Sequence, residues 1–442
     1  MLTSDIWSRF RDHFTSLDHS FVPSSPLPVD DPTLLFVGAG MVPFKPYFTG
    51  LTTPPHPRVV SVQKCVRTTD IDEVGVTMRY NTFFQMAGNF SFGDYDKPEA
   101  ITYAWDLLMR SERDGGLGVD PNRIWVTVYE RDDESFDLWR RIAGLPTERI
   151  QRLGREDNLW DMGVPGPCGP SSEIFVDRGP QYGPDGGPAV DTDRFMEIWN
   201  LVFMRDLRGP GEGKDYPILG PLPHHNVDTG LGLERTAVVL QEVGSVYETD
   251  QLRPLLDRAS ELSGRRYGVE RSDDVLLRIV ADHLRTSLML VADGVRPGRD
   301  GGGYVLRRLL RRTVRSMQRL GVDEPVLGEL TSVAYRLMVP IYPELTGELD
   351  RISTVISGEE DGFRRTLRSG RKIFDLAGRT GRITGEQAFA LHDTHGFPFD
   401  LTLDVAGERG LSVDEDGFHR LMDEQRTRSR GDRQISRRQA AE

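Results

Sequence analysis

Cysteine is nearly absent: Cys65 and Cys168 are the only two in 442 residues. That excludes a disulfide framework and a four-cysteine zinc site. The adjacent pair His224 and His225 and the pair His392 and His395 lack the further cysteines a zinc centre would need, so no zinc is expected. Long apolar runs are missing as well. No stretch reaches the roughly 18 residues of a membrane span, and the start (Met1, Leu2, Thr3, Ser4, Asp5) lacks the basic-then-apolar order of a secretory signal. A cytoplasmic location without membrane attachment is the expectation. Three familiar catalytic signatures are also absent. There is no GxxxxGK[ST] loop, no GxGxxG after a strand and no GxSxG elbow, so P-loop, Rossmann and serine-hydrolase readings have no support. Any nucleotide would be held by arginines and carboxylates on strands.

What is present describes an ordinary globular chain, with 38% hydrophobic and 28% charged residues and length for two to four domains. The formal net charge of -13 argues against nucleic-acid binding by the surface at large and leaves a local basic face open. Ser4 to Leu17 carries Ile6, Trp7, Phe10, Phe14 and Leu17 at helical spacing. Prolines 23, 26, 28 and 32 then impose an extended connection, and Thr33 to Val37 reads as a short buried strand ending at Gly38, Ala39, Gly40 and Met41. Arg58 to Arg67 and Arg79 to Phe90 read as an antiparallel hairpin closed by an acidic loop. Ile124 to Tyr129, Glu173 to Val176 and Met196 to Phe203 add strands, while Trp160 to Pro170 reads as a rigid loop rich in glycine and proline. Asn226 to Arg235 (NVDTGLGLER) has the layout of a strand, a tight turn and a helix opening onto a ligand. Beyond about residue 240 the pattern is helical: 275–291, 304–320, 352–376, 386–391 and 413–430. The fold class is therefore α/β of the α+β type, with residues 1–240 as one domain and 241–442 as a second, helical one.

Several residues have the chemistry for a nucleotide. Arg67, ending a hairpin strand, suits a phosphoryl oxygen, and Arg79 with Phe83 offers a cation and an aromatic face for a triphosphate and a stacked base. Glu197 and Asn200 offer hard oxygen ligands for Mg²⁺ bridging phosphates, and Arg235 offers a second phosphate clamp. Singly, each reads more readily as a solvated strand arginine, a core phenylalanine or a surface acid, because exposed charge on a strand is common.

Together they fall within seven strings: DPTLLFVGAGMVPFKPYF (31–48), TFFQMAGNFSFGDY (82–95), GPCGPSSEI (166–174), EIWNLVFM (197–204), VDTGLGLER (227–235), GYVLRRLLRR (303–312) and DTHGFPFDLT (393–402). In content and order these resemble the class II aminoacyl-tRNA synthetases, and among them the alanyl-tRNA synthetase family. The resemblance implies an antiparallel catalytic sheet flanked by helices, then an all-α domain. It implies ATP and Mg²⁺ as cofactors, alanine as substrate and a tRNA acceptor stem as partner. Arg67 and Arg235 would be catalytic: Arg67 on the α-phosphate, Arg79 and Arg235 on the outer phosphates. Phe83 would stack on adenine, and Glu197 with Asn200 would line the metal and amino-acid side. Asp228 would fix the substrate ammonium, while Met41, Trp160, Val202 and Gly230 would shape a pocket for little more than a methyl group.

Both steps implied, adenylate formation and transfer to the terminal ribose, need alignment and charge neutralisation more than a protein nucleophile. The family's helical half reads a G·U wobble pair in the acceptor stem. Arg307, Arg308, Arg311, Arg312, Arg315 and Arg319 form a stripe at near-helical spacing suited to phosphates, with a solvated surface helix as the plainer reading. Arg299 stands where the family carries an asparagine for the wobble pair, and the partnering carboxylate is Asp400. Arg205 follows VFM in place of glutamine, and Ser171 replaces the second cysteine of GPCGPC. A methyl-sized pocket discriminates weakly against glycine and serine, and the family adds a hydrolytic editing domain, before which this chain ends. Two readings follow: the catalytic and tRNA-recognition portion of a longer enzyme, or a free-standing paralogue activating alanine, glycine or serine for a carrier protein or metabolite.

Overall fold

The computed structural model of the chain describes residues 1–30, 34–69, 71, 73–377, 380–395, 397 and 399–425. It divides into two compact units, Met1–Ile356 and Ser357–Glu442. The expected boundary at residue 240 marks the change from strands to helices, whereas compactness divides the chain later. The difference has a physical cause. The Arg271–Ala292 helix buries charged side chains against the backbone at Gly75, Thr82 and Phe83, as detailed below.

The first unit is built on a nine-stranded sheet: β1 Ser20–Phe21, β2 Arg58–Val66, β3 Phe83–Phe92, β4 Ile124–Tyr129, β5 Ile150–Leu153, β6 Leu159–Asp161, β7 Gly166–Asp177, β8 Phe195–Arg208 and β9 Ile218–Gly232. The order is β1-β2-β3-β9-β8-β7-β4-β5, with β6 paired to β7. All pairs are antiparallel except β1–β2 and β4–β5. The Arg58 hairpin forms as expected, with Val66 opposite Phe83. The strand Arg58–Val66 is buried along almost its whole length, its polar Ser61, Gln63 and Lys64 included.

Three local expectations change. Trp160 to Pro170 is a hairpin rather than a loop throughout: Trp160 pairs with Gly169 across β6 and β7, and 162–165 make the turn. A Cβ on Gly169 would lie 1.9 Å from the Phe203 carbonyl, so glycine here permits backbone contact between neighbouring strands. The turn expected after Asp228 is strand instead, since β9 runs to Gly232 and leads directly into the Leu233–Leu240 helix. Between Thr33 and Val37, the described residues make one isolated bridge, Pro28 with Phe36, rather than a strand, and Thr33 lies outside the described residues.

Along β3 the two faces separate by parity. Phe84, Met86, Phe90 and Phe92 share one side with Met41, Phe44, Phe48, Val202 and Met204 in an apolar cluster. Ring centroids of Phe44 and Phe90 lie 4.6 Å apart, and those of Phe48 and Phe92 5.1 Å. Gln85 and Asn89, on the other face, hydrogen-bond to Glu234 and Thr229. In the second unit, Arg382–Ile383 pairs in parallel with Ser412–Val413, and Thr384 caps the Gly385–Asp393 helix through a reciprocal bond with Gln387.

Candidate active site

Above the apolar cluster, β3, β8, β9 and the segment before β3 enclose a cavity of about 250 Å³. Strand register decides what reaches it. On β8, residues three apart would face opposite ways, yet Glu197 and Asn200 both line the cavity. The cause is a bulge: Ile174 pairs with Trp199 and Phe175 with Glu197, leaving Ile198 as an extra residue that resets the alternation. Val202 then follows Asn200 onto the same face, and on the neighbouring β9 so do Asp228, Gly230 and Gly232.

Asp228 is the isolated charge. It is 6% exposed, on the wall formed by β9 opposite Val202, and burial alone pushes its carboxyl up to about 7. A carboxylate desolvated with no cation beside it among the described residues is poised for a cationic ligand. Space near it is small. A Cβ on Gly230 would come within 2.9 Å of the Met86 Sδ, and the Gly40 amide donates to the same sulfur at 3.1 Å. Trp160 and Ala39 also line the cavity.

The other end is charged. Arg235 Nη1 donates to Glu197 Oε2 at 2.7 Å, both side chains being partly open to water. Asn200 Nδ2 donates to Glu173 Oε1 at 2.9 Å, and its Oδ1 is buried without a partner among the described residues. Burial, then the repulsion of Glu197, raises Glu173 well above the usual carboxylate range. Arg79 and Arg235 face both this cavity and an adjoining one of about 450 Å³ that Glu173, Glu197 and Asp157 also line. Arg67 donates Nε to the Gly38 carbonyl at 3.0 Å and lies 5.0 Å over the Phe84 ring.

Of the residues expected at the site, Arg67, Arg79, Trp160, Glu197, Asn200, Val202, Asp228, Gly230 and Arg235 come together around one cavity. Two do not. Phe83 is fully buried on the opposite face of β3, with its ring 5.1 Å from the Arg285 guanidinium; of the two adjacent phenylalanines it is Phe84 that lines the cavity. The reason is that β3 starts at Phe83, so Arg79 is not on that strand and the four-residue spacing fixes no common face. Met41 is fully buried in the apolar cluster, and Ala39 lines the cavity in its place. Asn81, Met86 and Glu173 were missed; strand alternation counted from Phe84 would have found Met86.

In the helical region, Arg299 is exposed in the turn before the Gly301–Arg319 helix. Arg307, Arg308, Arg311, Arg312 and Arg315 are only half-exposed and engaged by other groups of the protein, while Arg319 is exposed. Asp400 lies within the Phe399–Glu408 helix, but its side chain is outside the described residues, as is the arginine-rich tail from 426 onward. Arg205, the departure after VFM, pairs with Asp96 at 2.6 Å.

Among the described residues, no helix is long and apolar enough to cross a membrane. Curated relatives share 59% identity (Saccharopolyspora erythraea), 58% (Nocardia farcinica) and 56% (Mycolicibacterium smegmatis), each named alanine–tRNA ligase. Each alignment covers 98% of this chain and 49% of the relative, so the chain spans about half the length of the proteins it matches. An aspartyl tRNA synthetase structure from Entamoeba histolytica aligns over 56% of each chain at 14% identity and a TM-score of 0.28, too slight to carry argument. The family described as tRNA synthetases class II (A) matches residues 5–442, and the chain belongs to it.

Proposed function

We propose that this chain activates alanine with ATP, forming alanyl-adenylate and pyrophosphate, and transfers the alanyl group to the 3′ end of alanine tRNA in the cytoplasm. The observation that carries the reading is the pairing of one isolated, buried carboxylate, Asp228, with an arginine-lined opening across a cavity of about 250 Å³. An amino acid fits that polarity: ammonium against Asp228, carboxylate toward the phosphates. Val202, Trp160 and Met86 behind Gly230 leave room for little beyond a methyl group.

In this reading the alanine carboxylate attacks the α-phosphorus of ATP in line with the departing pyrophosphate. Arg67 meets the α-phosphate with several donors and neutralises charge building on it, while Arg79 and Arg235 hold the outer phosphates. Phe84, rather than Phe83, supplies the aromatic face for adenine. Arg235 exchanges its contact with Glu197 for phosphate, freeing the Glu197 carboxylate. Glu197 and the Asn200 Oδ1, which has no partner among the described residues, are hard oxygen donors that would hold Mg²⁺, and the ion would supply charge neutralisation at the phosphates. Transfer follows when the terminal ribose hydroxyl attacks the mixed anhydride and AMP leaves. No side chain needs to act as a nucleophile.

The relatives' shared name weighs for tRNA as acceptor over a carrier protein or metabolite. In the same reading, the helices beyond residue 240 carry the acceptor stem, with Arg299 facing the wobble position and Arg307 and Arg311 near the phosphates. The test is acylation of transcribed alanine tRNA with a G·U or a G·C pair in the stem. Charging that depends on alanine, ATP and the wobble pair is expected. Adenylate without charging of either tRNA would overturn the acceptor assignment.

A further inference from the structure

The Arg271–Ala292 helix is apolar over most of its inward surface but buries Arg278, Asp282, His283 and Arg285. Arg278, Asp282 and Arg285 stand at i, i+4 and i+7, one stripe of a helix. Besides Tyr267 for Arg278, and Glu234 and Gln251 for Arg285, each of the three has a partner, in backbone order, along the segment that enters β3. Arg278 Nη1 donates to the Gly75 carbonyl at 3.1 Å. Asp282 Oδ1 accepts from the Thr82 amide at 2.8 Å and from Asn81 Nδ2 at 3.3 Å. Arg285 Nη2 donates to the Phe83 carbonyl at 2.7 Å. Tyr247 adds a fourth anchor, since its hydroxyl accepts from the Gly75 amide and donates to the Tyr80 carbonyl, both at 2.9 Å.

The segment so held carries Arg79, Tyr80 and Asn81, all three lining the cavity. Three of its backbone groups, the Gly75 and Phe83 carbonyls and the Thr82 amide, are tied to buried side chains of the helix, and the Gly75 amide and Tyr80 carbonyl to Tyr247. That is a costly arrangement for a surface loop and a useful one for a clamp. Close packing reinforces it: a Cβ on Gly75, whose φ is +88°, would meet the Val275 carbonyl at 2.8 Å.

We propose that Asp282 is a positioning residue for nucleotide binding, acting through the Thr82 amide and Asn81 to hold Arg79 where the outer phosphates of ATP must sit. The inference rests on the adenylate-forming reading above. Asp282 is fully buried, and its second oxygen lies 2.9 Å from His283 Nδ1, so the carboxylate is fixed from both sides. It does not line the cavity. Its reach stops at the phosphate end; Asp228 belongs to β9 and lies outside its contacts. The role therefore has a signature that a general structural role lacks, a change in ATP binding without a change in alanine binding.

The experiment is alanine-dependent pyrophosphate exchange, with KM for ATP and for alanine measured separately in wild type, Asp282→Asn, Asn81→Ala and the double variant. Asp282→Asn weakens a charge-assisted bond and is expected to raise KM for ATP about tenfold, with KM for alanine within about twofold. Asn81→Ala is expected to raise the same parameter, and the double variant to show less than the product of the two effects. Equal rises in both KM values, unchanged KM for ATP in Asp282→Asn, or independent effects in the double variant would overturn the inference. Should Asp282→Asn not fold, Asn81→Ala decides alone: a selective rise in KM for ATP supports the inference and an unchanged value overturns it. Wild type without alanine-dependent exchange would instead remove the adenylate reading on which this one stands.

Discussion

Burial holds the Asp228 carboxyl at about 7, so over the neutral range it trades a proton for the ammonium of a bound amino acid. Alanine binding is then expected to strengthen about tenfold between pH 6 and pH 8, following ionisation of a group titrating near 7. A flat profile measured by calorimetry would contradict this. The same shift bears on stability. Between its ordinary value of 3.8 and about 7, the folded chain keeps a proton that the unfolded chain has lost. The contribution of Asp228 is thus fully present below 3.8 and lost as pH rises through 7, a loss of about 4 kcal/mol at that limit. Asp228→Asn is accordingly expected to melt higher than wild type at pH 8 while losing alanine activation, and chemical unfolding at pH 5 and pH 8 checks the sign. Gly230→Ala places a methyl group against Met86 and is expected to raise KM for alanine at least tenfold; an unchanged value would mean that the methyl pocket lies elsewhere.

At the scale of the elements, helices and strands were legible because their hydrophobic periods are strong. Ile124–Tyr129 and the Arg58 hairpin emerge where valine, isoleucine and aromatics alternate, and the Arg271–Ala292 helix ends before a Gly294 at φ +91°. Which side of a strand a residue faces was less legible, because pairing register and bulges decide it. Phe83 and Phe84 differ by one position and lie on opposite faces, and no spacing within the sequence distinguishes them. Glu197 and Asn200 share a face only because Ile198 is extra. Strand bounds misled in the same way at Trp160 to Pro170, where glycine and proline mark close strand contact and a register shift rather than a loop throughout. Phe83 and Phe84 give a direct check. Phe84→Leu is expected to raise KM for ATP severalfold at little cost in stability. Phe83→Leu is expected to lower stability by about 1–2 kcal/mol and leave KM for ATP unchanged. The reverse pattern would restore Phe83 as the stacking ring.

At the scale of the molecule, the chain's two textures interlock: the Arg271–Ala292 helix supplies Asp282 and Arg285 to the segment entering β3. Composition could not reveal this, since buried charge on a helix looks like surface charge until its partners are known. The basic stripe of Gly301–Arg319 taught the converse, because five of its six arginines are half-buried and already engaged within the protein. Exposed Arg299 is the better-placed group for nucleic acid, and Arg299→Asn is expected to alter discrimination between G·U and G·C acceptor stems while leaving pyrophosphate exchange unchanged.

The central claim is that Asp228 and the arginine-lined opening form one adenylate site selective for alanine. Pyrophosphate exchange tests it most directly, with alanine, serine, glycine and valine offered in turn to wild type and Asp228→Asn. Exchange strongest with alanine, weaker with serine and glycine, absent with valine, and reduced at least a hundredfold by Asp228→Asn is the predicted result. Exchange that valine supports as well as alanine does, or that survives Asp228→Asn, would contradict it.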